Sequence, residues 1–406
     1  VRSVEEHLTQ ILELVEPLPP YEQPLLEAIG LPLCQDITSS IDLPSFDNSA
    51  MDGYACRRDD LLDAGENTPV RLPVVGESAA GQSKAYALSP GQVVKIMTGA
   101  PLPAGADVVV PIEWTDGGRA NVSISRLPRP GEHVRPRGED VRAGQLLLHE
   151  GTRVGPRQAA ILAATGHASV QARPRPRIVV LSTGSELREP GTSLGFDSIY
   201  DSNSFALAAA VRQAEAIAYR VGIVTDDPQE LTDTLSDQLV RADLVVTSGG
   251  VSKGDYDVVK DVLGRLGTVQ FTEVAMQPGK PQGFGTIGED DTPIFALPGN
   301  PVSSYISFEV FVLPAIRRMM GKVPYRRPLV QARLTDGFSS PNGRRQFVRG
   351  VFEVTGDGAQ VSPVGGHGSH LIGSLSQSNA LIVASETTTS IDAGATVDVL
   401  VLDRIF

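Results

Sequence analysis

The sequence predicts an α/β protein carrying additional β-rich domains, and three observations support that. Beyond about residue 174, near-continuously apolar strand segments alternate with helical ones, as in a parallel sheet covered on both faces. Residues 44–141 break instead into short β-rich pieces separated by Pro, Gly and Asp, with no long helical period. From about 324 to 406 the chain is strand-like again, which fits a small β-barrel or sandwich. Its 406 residues exceed what one hydrophobic core serves and suggest two to four domains.

Taken in order, Val4, Leu8, Ile11, Leu12 and Val15 recur at helical spacing over residues 3–16. Ser3 and Glu6 suit a capping box there, and "EPLPP" stops the helix. A second short helix is expected near 23–29, ending at Gly30. The stretch "PRQAAILAA" (156–164) reads as helical with Pro156 in its first turn. It is expected to rejoin the N-terminal helix in a discontinuous domain that 44–141 interrupts. The prolines of "ARPRPR" (172–177) mark the next boundary.

Strands follow at "RIVVLS", "AYRVGIV", "ADLVVTS" and "PIFAL". Helices follow at "SNSFALAAAVRQAEA", "PQELTDTLSDQLV", "YDVVKDVLGRL" and "PVSSYISFEVFVLPAIRRMM", with Pro314 predicting a kink in the last. The closing strands are "LVQARL", "RQFVRGVFEV", "ALIVAS" and "TVDVLVLD".

Composition excludes several function classes. A formal net charge of −13 argues against a nucleic-acid binder and against an anionic membrane surface as partner. Two cysteines, Cys34 and Cys56, cannot build a disulfide framework or a Cys-based zinc site, and a reducing cytoplasm is the natural expectation. No apolar run reaches the roughly 18 residues of a membrane span. The acids in "VRSVEEHLTQILELV" distinguish it from a signal peptide.

In an open α/β sheet, ligands bind outside the carboxyl ends of the strands. There the sequence places "STGSE" (Ser182, Thr183, Gly184, Glu186), "TDD" (Asp226, Asp227), "TSGGVSKGDYD" (Ser248, Gly249, Gly250, Asp257) and "LPGNPVS" (Pro298, Gly299, Asn300, Pro301). Asn300 can cap a helix with Pro301 at its first position, and Gly299 lets backbone approach a ligand. That helix N-terminus and the Gly249–Gly250 turn are expected to favour an oxyanion. Glu186, Asp226 and Asp257 would repel the anion unless a hard divalent cation such as Mg²⁺ lies between them. The inferred site is therefore anion plus metal.

Two apparent motifs are set aside. "GFGTIG" (283–288) precedes acids and a strand rather than opening a helix, so it fails as a dinucleotide fingerprint. "HGSH" (His367, His370) lies in a glycine-rich loop without acids nearby, where ordering the loop is the expected role. No Walker A sequence is present.

The stretches "DNSAMDGYA", "IMTGAPLP", "RGED", "STGSEL", "DSN", "TSGGVSKGDYD", "PGKP", "LPGNPVS" and "GHGSH" run through the whole chain. In that order they closely resemble the MoeA/gephyrin E-domain family, the molybdopterin molybdenumtransferases. The resemblance implies four domains: a discontinuous N-terminal domain of 1–43 and 142–173, an inserted β-rich domain of 44–141, a MogA-like doubly wound α/β domain of 174–323, and a C-terminal β-barrel of 324–406. It implies Mg²⁺-dependent insertion of molybdate into adenylylated molybdopterin with release of AMP. It further implies a homodimer, and an upstream molybdopterin adenylyltransferase as a possible supplier. By motif, Asp52, Asp140, Glu186, Asp226 and Asp257 correspond to the functional acids, with Glu186, Asp226 and Asp257 toward the metal. Ser182, Thr183, Gly184, Asp201, Asn203, Ser248, Gly249, Gly250, Lys280 and the Pro298–Pro301 loop would bind substrate.

The chain departs from the family pattern in a few places. Ser185 stands where aspartate is common, and Thr225, Glu273 and Gln277 stand where basic residues are common, whereas Lys253 is an extra cation. Fewer cations predict weaker capture of the molybdate dianion, by about a kcal/mol per partly buried contact. Two alternatives of other classes address the same residues: a non-catalytic molybdopterin carrier or scaffold, and a CinA-like nucleotide hydrolase.

Overall fold

A computed structural model gives the fold over residues 1–81, 86–250, 258–404 and 406. The chain forms two compact units: Glu22–Ile29 with Leu33–Val170, and Val1–Tyr21 with Gly30–Pro32 and Gln171–Phe406. Among the described residues no helix is long and apolar enough to cross a membrane.

The first helix, α1 (Val4–Leu14), is closed by the predicted capping box: Ser3 Oγ accepts from the Glu6 N–H, and Glu6 Oε2 accepts from the Ser3 N–H. Its apolar face, Val4, Leu8 and Ile11, is buried in one cluster with Phe311 and Ile316. The helix expected near 23–29 does not form. Tyr21–Pro24 is extended, and the next residues are turns closed by the Glu27 and Ala28 N–H groups on Pro24 O. Pro24 favours extended backbone before it, and Gly30 turns the chain at φ 86°. The few residues between them are too short to offset helix nucleation.

The Glu22–Val170 unit is built on five short strands: β1 (Gly53–Cys56), β2 (Val70–Ser78), β3 (Val93–Ile96), β4 (Val108–Pro111) and β5 (Asn121–Ile124). They lie in the order β4-β1-β3-β2-β5. Tyr54, Val93, Val108, Val110, Val122 and Ile124 fill its core. Helix α2 (Pro156–Ala164) starts with Pro156 as predicted and packs Leu162 against Leu33, Ile37 and Val170.

In the other unit the α/β alternation is observed: β6 (Arg177–Thr183), α3 (Asn203–Gln213), β7 (Ile217–Val224), α4 (Pro228–Leu239), β8 (Leu244–Ser248), α5 (Val258–Leu266), β9 (Gln270–Glu273), β10 (Met276–Gln277), β11 (Pro281–Ile287) and β12 (Thr292–Leu297). The sheet order is β7-β6-β8-β12-β11-β9; the first four strands are parallel, and β11 runs antiparallel to both its neighbours, β12 and β9. Alternate residues serve opposite faces. Ile178, Val180, Leu244, Val246, Phe295 and Leu297 face a core with α1, α3 and the last helices, while Val179, Leu181, Val245, Ile294 and Ala296 face α4 and α5. Each such fully buried Val or Leu contributes about 1.5–3 kcal/mol.

Strand β9, at the edge of the sheet, and its neighbour β11 are not legible as strands in the sequence. Gly283 and Gly285 of "GFGTIG" lie in β11, where close neighbours leave no room for a side chain: a Cβ on Gly283 would lie 2.7 Å from the Phe271 ring and 2.8 Å from the Ala296 methyl. The long helix predicted from Pro301 is three pieces, α6 (Pro301–Ser307), a π-helical turn (Phe308–Val312) and α7 (Leu313–Met319). The irregularity foreseen at Pro314 is this wide turn just before the proline, which spares the ring a clash with the preceding carbonyls.

Strands β13 (Leu329–Leu334), β14 (Arg345–Thr355), β15 (Gly358–Pro363), β16 (Ala380–Ala384) and β17 (Thr396–Val401) form a closed five-stranded barrel in the order β14-β15-β13-β17-β16, with β14 also pairing β16. The little strand β10 pairs with β14 of this barrel, Met276 opposite Arg345 and Gln277 opposite Gln346.

Candidate active site

The strand order reverses at β6, which has β7 on one side and β8 on the other. A crevice opens at the carboxyl ends of strands at such a point. Glycines let the loops meet there. Gly184 and Gly249 have φ of 153° and 107°, and a Cβ on Gly249 would lie 2.4 Å from Thr183 O.

Beneath the loops is a polar floor. Asp201 is 2% exposed; it accepts from Ser182 Oγ at 2.9 Å and from the Ser204 N–H at 3.1 Å, and Ser204 Oγ also donates to it. Its carboxylate is thus engaged inside the protein. Asn203 Nδ2 donates to Ser248 Oγ and to Gly299 O, both at 2.7 Å, which ties α3 to the 298–301 loop. Thr183 Oγ1 is buried with no hydrogen-bond partner among the described residues, leaving a polar atom for a ligand.

A cleft of about 630 Å³ lies above this floor and brings together Thr183, Gly184, Glu186, Asp201, Asn203, Asp226, Ser248, Gly249, Gly250, Gly299, Asn300 and Pro301. A second cleft, of about 420 Å³, shares Gly299 and Asn300 with it and adds Lys260, Glu273, Lys280 and Pro298. Glu186 and Asp226 therefore line one cavity, and Lys260 and Lys280, the latter paired with Glu273, line the other. Ser182 belongs to the floor below.

In the acidic cleft, Asp226 Oδ2 accepts from the Ser185 N–H at 3.0 Å, and the Asp226 N–H donates to Ser185 Oγ at 3.3 Å. Among the described residues no lysine or arginine pairs with Glu186 or Asp226, and no group of three or more His, Cys, Asp or Glu side chains surrounds a metal position. Two carboxylates facing a cavity still fit Mg²⁺, which takes one or two protein carboxylates and completes its shell with phosphate and water. Asp257 and Lys253 lie outside the described residues.

The Pro301 helix differs from expectation. Asn300 occupies the N-cap position, yet its side chain makes no capping hydrogen bond. The Val302 N–H donates to Ser369 O at 3.1 Å, so the "GHGSH" loop already occupies an amide expected to face an anion. That loop is held from the barrel: Arg349 donates to Gly368 O at 3.2 Å and to Gly366 O, and Gln346 Nε2 is 3.0 Å from His367 Nδ1. His367 thus orders the loop as predicted. His370, by contrast, lines the acidic cleft, a placement that composition alone does not disclose.

Asp52 and Asp140 belong to the Glu22–Val170 unit. Asp52 Oδ1 accepts from the Thr98 N–H at 2.7 Å and from Thr98 Oγ1 at 3.0 Å, and these bonds hold its carboxyl below the usual range. Asp140 is exposed, with its backbone N–H on Leu43 O at 3.0 Å. In the lysine cleft, Lys280 Nζ lies 2.8 Å from Glu273 Oε2.

Comparison with known proteins agrees with this architecture. Residues 2–166 match the MoeA N-terminal region (domain I and II), 179–318 a probable molybdopterin binding domain, and 331–402 the MoeA C-terminal region (domain IV). The chain is 44% identical to molybdopterin molybdenumtransferase 2 of Mycobacterium tuberculosis over 405 residues, 98% of this chain and 99% of that one. It is 39% identical to molybdopterin molybdenumtransferase 1 of the same organism over 422 residues, 99% of each. A crystal structure of the MoeA protein from Pyrococcus horikosii superposes with a TM-score of 0.84 at 32% identity, covering 100% of both chains. With all three regions matched along the chain and full-length relatives at this identity, the chain belongs to the MoeA family of molybdopterin molybdenumtransferases.

Proposed function

We propose that this protein is a molybdopterin molybdenumtransferase that inserts molybdate into adenylylated molybdopterin, with release of AMP, in molybdenum cofactor biosynthesis. The observation that carries the reading is the pair of clefts sharing Gly299 and Asn300, one lined by Glu186 and Asp226, the other by Lys260 and Lys280. A substrate with phosphates and an incoming oxyanion needs both kinds of surface at one place.

In this reading Glu186, Asp226 and Asp257 hold Mg²⁺, which when bound offsets phosphate charge. The chain's own residues do the positioning. The floor of Ser182, Asp201 and Asn203 fixes the loops, and Gly184, Gly249 and Gly250 let backbone approach the ligand. Lys280 supplies the cation for molybdate. Asp52 and Asp140 are further functional acids in this reading. We further propose a homodimer, a cytoplasmic location, and supply of substrate by a molybdopterin adenylyltransferase.

The test incubates purified protein with adenylylated molybdopterin, Mg²⁺ and a titration of molybdate, following AMP and cofactor together. Saturable, molybdate-dependent release of AMP supports the transferase. Tight substrate binding without release assigns the carrier role instead, and parallel titration with tungstate reads the metal preference.

A further inference from the structure

Lys280 carries a positive charge in the lysine cleft, and its ammonium is already engaged by a carboxylate. Its Nζ lies 2.8 Å from Glu273 Oε2, and the two side chains are 31% and 36% exposed. Glu273 ends the edge strand β9, and its N–H···O ladder to β11 places it directly opposite Pro281, next to Lys280 in the chain. Strand pairing therefore fixes the carboxylate beside the ammonium. The backbone reinforces this, since Glu273 O accepts from the Arg2 N–H at 2.8 Å and Lys280 O from the Val274 N–H at 2.7 Å.

We infer that Glu273 tunes oxyanion affinity in this cleft: its carboxylate occupies Lys280 and competes with an entering oxyanion for that amine. The inference rests on the proposed transferase reading only for the identity of that oxyanion. A dianion can pair with the Lys280 ammonium only by displacing the Glu273 carboxylate that already holds it. Wild-type affinity for a tetrahedral dianion is consequently set by the difference between two competing pairs. The carboxylate does not contact the adenylylated substrate in this scheme, so its removal acts on one substrate only.

The experiment is calorimetric titration of sodium molybdate into wild-type protein, Glu273→Gln, Lys280→Gln and the double variant, each checked for a cooperative melt. Glu273→Gln is expected to bind molybdate about fivefold more tightly, the scale of a partly exposed charge interaction. Lys280→Gln should bind more weakly, and the double variant should show no gain over Lys280→Gln, because the effect passes through that amine. In turnover, Glu273→Gln should lower the KM for molybdate and leave that for the adenylylated substrate unchanged. Should Glu273→Gln fail to fold, Glu273→Thr, which suits an edge strand, is measured with the same expected direction. Unchanged or weaker binding in the folded variant overturns the inference, as does a gain that survives loss of Lys280, or no binding to either protein at millimolar molybdate. Binding that follows the expected pattern without any AMP release would defeat the transferase reading and leave the role of Glu273 standing.

Discussion

Ser185 and Asp226 clasp each other across the mouth of the acidic cleft, each backbone N–H donating to the other's side-chain oxygen, at 3.0 and 3.3 Å. The serine makes this clasp without placing a further charge beside Glu186. The loops after β6 and β7 are thereby joined without crowding a third acid into the same place.

Asp226→Asn and Glu186→Gln preserve shape and remove one charge each. Both variants are expected to lose Mg²⁺-dependent turnover by about a hundredfold or more, the scale of losing one directly coordinating or charge-stabilising group. Thermal midpoints should stay within a few degrees of wild type, because neither side chain is buried under a core. Full turnover in both would remove these residues from the metal site.

Asp201 behaves differently. Its buried carboxylate accepts from two serine hydroxyls and one backbone N–H. Asp201→Ala is expected to cost roughly 3 kcal/mol, since three buried donors lose their acceptor at once. Urea unfolding measures it, and a loss below about 1 kcal/mol would show that the floor is not organised by this residue.

Gly249 is held at φ 107° with Thr183 O where a Cβ would go. Gly249→Ala is expected to cost about 1–3 kcal/mol in the geometry of the turn and to weaken substrate binding about tenfold. Paired measurements of the melt and of binding to adenylylated molybdopterin check it. Wild-type binding in the variant would mean that the turn does not form the substrate surface.

His7 gives stability a pH dependence. Its ring is 2% exposed, packed edge-on to Phe311 at 4.8 Å and to Phe284 at 6.5 Å, and burial pushes its pKa down to about 4. The unfolded chain, with an ordinary histidine near 6.5, binds the proton more readily than the fold does between those values. Stability from this group is therefore complete above about pH 6.5 and is lost as pH falls toward 4. Between pH 7 and pH 5 the loss should be about 2 kcal/mol, and His7→Phe should flatten it. An equal acid sensitivity in the variant would place the effect elsewhere.

Much of this was legible in the sequence because the signals were local. The Ser3–Glu6 capping box, Pro156 at a helix start, and the apolar runs of β6, β8 and β12 each depend on neighbours a few residues away. The strand-end loops could be found by the same logic, and Thr183, Gly184, Glu186, Asp226, Gly249 and Asn300 do meet at one cleft. What stayed hidden was set by distant partners. Strands β9 and β11 take their form from Phe271 and Ala296 pressing on glycines, and the Val302 amide is satisfied by Ser369 from the barrel. Asp201 reads as a binding residue by motif and sits in the floor because Ser182, on β6, joins Ser204 in donating to its carboxylate. His370 reaches the cleft on a loop that distant residues, Arg349, Gln346 and Val302, hold in place.

The small strand β10 has a consequence for how the site could be dismantled. Glu186 and Asp226 stand on loops of the parallel sheet itself, whereas the turn leading to Lys280 hangs from barrel strand β14 through Met276 and Gln277. Lys280 itself adjoins β11 of the sheet, so its turn is pinned at one end to the barrel and at the other to the sheet that carries the acids. A disturbance of the barrel would reach the lysine cleft along that turn, and one at the sheet edge would reach it from the other side.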